Sequence, residues 1–537
     1  MTLLLTIPLF LSPIASVAPP QTDWPLTRAE KSNYAETSTY DDVVQFVHAL
    51  QQQRAPLRVA YIGKSTEGRP IPMVICSNPL VANPLEAKRS GKPIVYIQAN
   101  IHAGEIEGKE AAQQLLRDYC RDHSKVLDKL ILIVNPIYNA DGNEKFGPMS
   151  RNRPGQNGPE SVGVRANGQG LDLNRDCVKA ESPEMQAALD SIYTKWDPDV
   201  IMDLHTTDGV RHGYDLTYSP PTNPNCDPGV LHYSRDLLLP AVRTEMRSKH
   251  KWEFFDYIGD LQFQGKQAWC TFGSEARYVS NYAGFRNRIG ILSEAVNYLP
   301  FKDRVYTTYE FVDSVLNKIA KDAATVVKLT TQADENATKM ANASGKSELG
   351  VRFDLESRGD EFVLLEKRPA AGATRPSGRP TEIERVKMPV MDRFKSTRTA
   401  KYPCAYIIPA AETKTIELLL RHGIVVERFR TEVNFGVDEF IVGEFLQAPT
   451  PFQNHKLIRL EGKFERTKHT VEPGDFIVSC AQPMGPLAFH LLEAESVDGA
   501  MAWGFLGEKF EVGSKFPIRK TYQWPNVPTE VVRSVSN

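Results

Sequence analysis

His102-Ala-Gly-Glu105 sets an imidazole and a carboxylate three residues apart, just beyond an apolar run at 95–99 (VYIQA) and in a loop that opens with Gly104. A neutral histidine and a carboxylate carried on one turn can share a Zn2+ ion. A catalytic zinc takes three protein ligands and keeps a fourth position for water, so a third ligand has to come from elsewhere in the chain. Two further polar residues stand in the same relation to apolar runs: 199–204 (DVIMDL) stops at His205, and 289–292 (IGIL) stops at Ser293-Glu294.

The elements that must carry these residues read as follows. The 95–99 run is β-rich and lacks a 3.6-residue period, as expected of a strand buried on both faces of a parallel sheet. A similar run, 130–136 (LILIVNP), feeds the turn Asn139-Ala-Asp-Gly142. With 199–204 and 289–292 this makes four apolar strands. Helical patterns at 39–53, 108–119, 182–193 and 306–319 separate or flank them, and 59–62 with 73–76 read as a hairpin. The pattern is that of an α/β fold with a mixed, largely parallel sheet flanked by helices. In open α/β sheets ligands bind beyond the carboxyl ends of the strands, and His102, Glu105, His205 and Glu294 all fall on that edge. The segment 148–170 is long, polar and rich in Gly, Pro, Asn and Arg, and a loop of that length in a compact domain is usually functional.

The chain has 537 residues, too many for one compact core at ~150 residues per domain. After 306–319 the composition turns polar and Ala/Lys/Thr-rich, then short strands alternate with turns at 362–366, 405–408, 440–442 and 476–480, with a helix at 415–422. The expected division is a signal peptide at 1–18, a catalytic domain at 24–330, a linker at 331–349 and a smaller β-rich accessory domain at 350–525. Residues 1–18 are apolar and end in Ser16-Val17-Ala18, the small-x-small pattern of a cleavage site, which implies an exported protein. A formal net charge of −2 gives no footprint for nucleic acid, and no later segment is apolar enough for stable membrane insertion. The seven cysteines are scattered and unpaired in spacing, so they suggest neither a disulfide framework nor a thiolate metal site. His48 and the C-terminal histidines 422, 455, 469 and 490 lack ligand spacing and read as structural or surface residues. Nothing in the sequence fixes an oligomeric state.

Taken together, His102-Ala-Gly-Glu105, Asn139-Ala-Asp-Gly142, Asn152-Arg153, Asn174-Arg175, His205 and Glu294 resemble, in type and order, the zinc carboxypeptidases of the carboxypeptidase A type, over roughly residues 40–309. The resemblance implies one zinc ion held by His102, Glu105 and His205, with Glu294 as general base and acid. It also implies a peptide substrate whose terminal carboxylate is gripped by Asn174 and Arg175, and a scissile carbonyl polarised by Arg153. The chemistry is consistent. Two neutral imidazoles and one carboxylate leave zinc net positive, a carboxylate can move the proton of an activated water, and arginine matches a carboxylate in bidentate fashion. Arg151 competes with Arg153, and nothing in the spacing chooses Tyr278 or Tyr282 as a tyrosine closing over the substrate. Two other readings stand beside the peptidase: an N-acyl amino acid deacylase of the succinylglutamate desuccinylase type, and a non-catalytic peptide or cell-wall binding protein.

Overall fold

The computed structural model describes residues 23–342, 345–367, 378–507 and 509–533, so the expected signal peptide at 1–18 lies outside the described residues. Among the described residues no helix is long and apolar enough to cross a membrane.

An eight-stranded mixed sheet forms the frame. Its strands are β1 (Leu57–Lys64), β2 (Pro70–Cys76), β3 (Ile94–Ala99), β4 (Ile131–Asn135), β5 (Val200–Thr206), β6 (Leu216–Ser219), β7 (Phe254–Asp256) and β8 (Ile289–Ala295), in the order β1-β2-β4-β3-β5-β8-β6-β7. The four strands expected from apolar runs lie side by side and parallel, as β4-β3, β3-β5 and β5-β8. β1 and β2 form the expected antiparallel hairpin. Every residue of β3, β4, β5 and β8 is buried, because both faces of the sheet are covered.

Strand periodicity sends alternate residues to opposite faces. Val95, Ile97, Val134 and Met202 pack with residues of α1 (Tyr40–Gln52), α2 (Glu107–Arg121) and α4 (Phe301–Lys321), among them Val47, Leu116 and Phe311. Tyr96, Ile133 and Ile201 point the other way, toward Tyr282 of α3 (Val279–Phe285), and the same core continues through Tyr402, Tyr406 and Phe489 of the C-terminal half. At about 1.5–3 kcal/mol per fully buried large apolar side chain, a shared core of this size ties the two halves into one structure.

The stretch expected to be a linker, 331–349, is largely not one. Helix α5 (Ala323–Ala341) runs through it, and a strand, Glu348–Glu366, begins almost at once. The physical reason is a stripe of mostly small residues: Val326, Thr330, Ala333, Ala337 and Ala341 are buried at helical spacing. Beyond it, Glu348–Glu366 and Ile383–Lys401 form a long antiparallel ribbon that pairs in parallel with Lys266–Cys270, so this four-stranded sheet mixes the two expected domains. A seven-stranded sheet built from residues 405–531, with helix Thr413–Arg421, makes up the β-rich remainder.

Candidate active site

At the end of β3, Asn100 takes a left-handed backbone conformation (φ 65°), and its amide group donates to the carbonyls of Ala103 (3.2 Å) and Glu105 (3.4 Å). Asparagine tolerates this region better than most residues, so it can turn the chain off the strand and fold 101–105 into a tight loop. Glu105 N–H donates to the His102 carbonyl at 2.9 Å, closing the turn. Gly104 is required by crowding: a Cβ there would lie 2.6 Å from the Arg153 side chain and 2.9 Å from the Gly163 carbonyl. His205 is delivered by the carboxyl end of β5, and Glu294 stands directly opposite it on β8 in parallel register.

These residues meet. His102 Nδ1 lies 3.0 Å from Glu105 Oε1, and His205 Nδ1 lies 3.1 Å from His102 Nδ1 and 2.9 Å from Glu105 Oε2. One donor atom from each of the three falls within 4.8 Å of the others, and all three side chains are buried. The outward-facing nitrogens are held by carboxylates: His102 Nε2 by Asp172 Oδ1 at 2.9 Å, and His205 Nε2 by Asp203 Oδ2 at 2.6 Å. A carboxylate on Nε2 fixes the proton there and turns the Nδ1 lone pair inward. Two imidazole nitrogens and a carboxylate at such distances need a proton or a metal cation between them, and this donor set suits zinc.

Electrostatics follows the same layout. Burial alone would raise the Glu105 carboxyl, but His102 and Arg153 hold it well below the usual carboxylate range. Asp172 is likewise held far down by His102 and Arg165 in spite of its burial. Glu294 goes the other way: burial, reinforced by Glu105 and Asp208, pushes its carboxyl up to about 8. It is only 8% exposed and makes no hydrogen bond among the described residues. It lines a cavity of about 270 Å3 together with His102, Glu105, Asn174, Arg175 and His205.

Asn174 and Arg175 reach the same cavity on the turn Leu173–Arg175. Asn174 Oδ1 accepts from Val279 N–H at 3.0 Å, while its Nδ2 lies 3.3 Å from His205 Nε2. Arg175 lies over the Tyr278 ring, 4.6 Å from its centroid, and spends one N–H on the Asn174 carbonyl. Tyr278 lines the cavity, whereas Tyr282 is fully buried and bonded to His422.

Arg153 does not line this cavity. Its guanidinium sits behind Glu105, donating to Glu105 Oε1 (3.2 Å) and to the carbonyls of Thr206 (3.1 Å) and Thr207 (3.3 Å). Arg151 is exposed and bonds to Asn152. Besides Arg175, the arginine that lines the cavity is Arg165, whose side chain is 38% exposed and which donates to Asp172 (2.9 Å) and Glu105 (3.3 Å). Sequence reading passed over Arg165, Asp172 and Asp203. For Asp203 a signal existed, since residues i and i+2 of a strand share a face and Asp203 precedes His205 by two. For Arg165 there was none, because the 148–170 loop has no periodicity to rank its arginines.

A family model described as zinc carboxypeptidase matches residues 43–228. Carboxypeptidase 2 of Trichophyton rubrum is 22% identical over 474 residues, which span 85% of this chain and 81% of that protein. Carboxypeptidase 2 of Trichophyton tonsurans is 21% identical over 476 residues, with the same coverage. A solved metallo-carboxypeptidase from Burkholderia cenocepacia aligns with 53% of this chain and 70% of its own, at 16% identity and a TM-score of 0.40. The stretch matched by the family model holds His102, Glu105 and His205, the three side chains whose donor atoms converge. Residues 43–228 therefore match the zinc carboxypeptidase family, the curated relatives that the chain resembles over most of its length are carboxypeptidases, and together they support a metallocarboxypeptidase.

Proposed function

We propose that His102, Glu105 and His205 hold one zinc ion, and that the enzyme removes residues from the C-terminal end of peptides with Glu294 as general base. The observation that carries this reading is the Glu294 carboxylate: buried, without a hydrogen-bond partner among the described residues, and in register with His205 at the mouth of the same cavity. A structural glutamate in such surroundings is normally paired.

Zinc held there supplies Lewis-acid polarisation of a water and of the scissile carbonyl. Glu294 takes the proton of the attacking water and returns it to the nitrogen of the leaving amine, so no net proton is left on the enzyme. Arg165 offers N–H donors toward the carbonyl oxygen as negative charge develops on it. Arg175 has N–H groups with no partner among the described residues, and stacking on Tyr278 keeps its plane presented to the cavity. With Asn174 beside it, this is a receptor for the planar carboxylate of a peptide's last residue.

Peptides with a free or an amidated C-terminus, digested in parallel and followed by mass spectrometry, test the reading. Stepwise loss of residues from the free form and resistance of the amidated form are expected. Equal cleavage of both would remove Arg175 from carboxylate recognition, and hydrolysis of N-acyl amino acids with intact peptides would favour the deacylase.

A further inference from the structure

We propose that Gln453, in the C-terminal half of the chain, is a positioning residue of the peptidase site: its side chain holds the backbone of Asp172, which in turn orients His102. The inference rests on the zinc site proposed above. It adds a residue 281 positions away in sequence from the group it acts on.

Gln453 Oε1 accepts the Asp172 N–H at 2.9 Å. Asp172 then serves both halves of the site. Its carboxylate holds His102 Nε2 and bonds to Arg165, and its Oδ1 caps the Asn174 N–H at 2.9 Å, at the start of the turn that presents Asn174 and Arg175. A second contact pins the same segment two residues along the hairpin, where His455 Nε2 lies 2.9 Å from Glu181.

The backbone around Gln453 points to a role for its side chain. Strands Val433–Gln447 and Ile458–Val471 form an antiparallel hairpin whose extension closes at Phe452 and His455, which exchange N–H to carbonyl bonds of 2.8 and 3.0 Å. The two residues between them, Gln453 (φ 49°) and Asn454 (φ 66°), are both left-handed, as a two-residue type I′ turn requires. Asparagine and glycine suit those positions, and glutamine does not. A residue kept in an unfavourable backbone region at the point of contact with a functional segment is strain retained for its side chain.

That strain separates a positioning role from a structural one, because glycine relieves the turn while deleting the contact. In the full-length protein, Gln453→Gly is expected to leave the melting temperature of the metal-free form unchanged or raise it. Amide exchange at 172–176 should quicken, and zinc affinity by chelator competition and kcat/KM on a peptide with a free C-terminus should each fall by roughly 10- to 100-fold. Gln453→Glu retains an acceptor oxygen at the same reach and should recover most of the loss. Unchanged exchange and zinc affinity in Gln453→Gly would overturn the proposal, as would a loss of activity accompanied by a lower melting temperature, which would mark Gln453 as structural. Should the wild-type chain itself neither bind zinc nor cleave peptides, the reading of the site fails instead, and the exchange measurement still decides whether Gln453 holds Asp172.

Discussion

Asp203 and His205 lie two residues apart on one face of β5, with Asp203 Oδ2 2.6 Å from His205 Nε2. The strand's period of two therefore builds the proposed ligand and its orienting carboxylate from a single tripeptide. Asp203→Asn keeps an acceptor but loses the charge, and should weaken zinc binding about 10-fold; Asp203→Leu keeps neither and should approach 100-fold. Chelator competition measures both, and wild-type affinity in the leucine variant would show that His205 needs no such partner.

The two arginines should separate cleanly. Arg165→Ala is expected to lower kcat by about 10²- to 10³-fold with zinc retained, because a donor facing the cavity is lost. Arg153→Ala removes the buried partner of Glu105 and of two carbonyls, so its main effect should be on stability, about 3–5 kcal/mol. Parallel measurement of kcat, zinc content and unfolding decides; near-normal kcat in Arg165→Ala returns the carbonyl-polarising role to another group.

The C-terminal half should be indispensable. Tyr96, Ile133 and Tyr282 share one core with Tyr406 and Phe489, so a chain ending at Ala341 would expose a broad apolar face. It should be insoluble or lack cooperative unfolding. A soluble, active protein of that length would show that the shared core is not needed for folding.

His422 joins the halves: its Nδ1 accepts from the Tyr282 hydroxyl at 2.7 Å and its Nε2–H donates to the Val178 carbonyl at 3.1 Å. Burial, with Arg286 adding to it, pushes this imidazole down to about 3. A group whose folded value lies below its unfolded value of ~6.5 favours the native state above that pH, and that stability is lost as pH falls toward 3. Its contribution to the slope is about 1.4 kcal/mol per pH unit. Denaturant unfolding between pH 7 and 5 should show a shallower pH dependence in His422→Gln than in the wild type, and identical slopes would mean that His422 is protonated in the native state.

Much of this candidate site is legible in the sequence, and the reason is particular. β3, β5 and β8 are buried on both faces, so their apolar runs end abruptly where polar chemistry begins, and His102, Glu105, His205 and Glu294 announce themselves at those ends. What was not legible depends on distance in sequence or on small side chains. Nothing in the aperiodic 148–170 loop foretells that Arg165 lines the cavity while the carbonyls of Thr206 and Thr207 hold Arg153. The stripe Thr330, Ala333, Ala337 and Ala341 carries too little hydrophobicity to read as a packed helix. Gln453 has no local signal at all, because its partner is the backbone of a residue in the other half of the chain.

The role of Glu294 is the centre of the account, and Glu294→Gln tests it most directly, because glutamine keeps the shape of the side chain and loses the proton acceptor. Zinc content and turnover on a peptide with a free C-terminus, measured on the same preparation, should show full metal occupancy with kcat reduced by roughly 10²- to 10⁴-fold. Near-normal turnover with zinc bound would contradict the account and leave the site without its base.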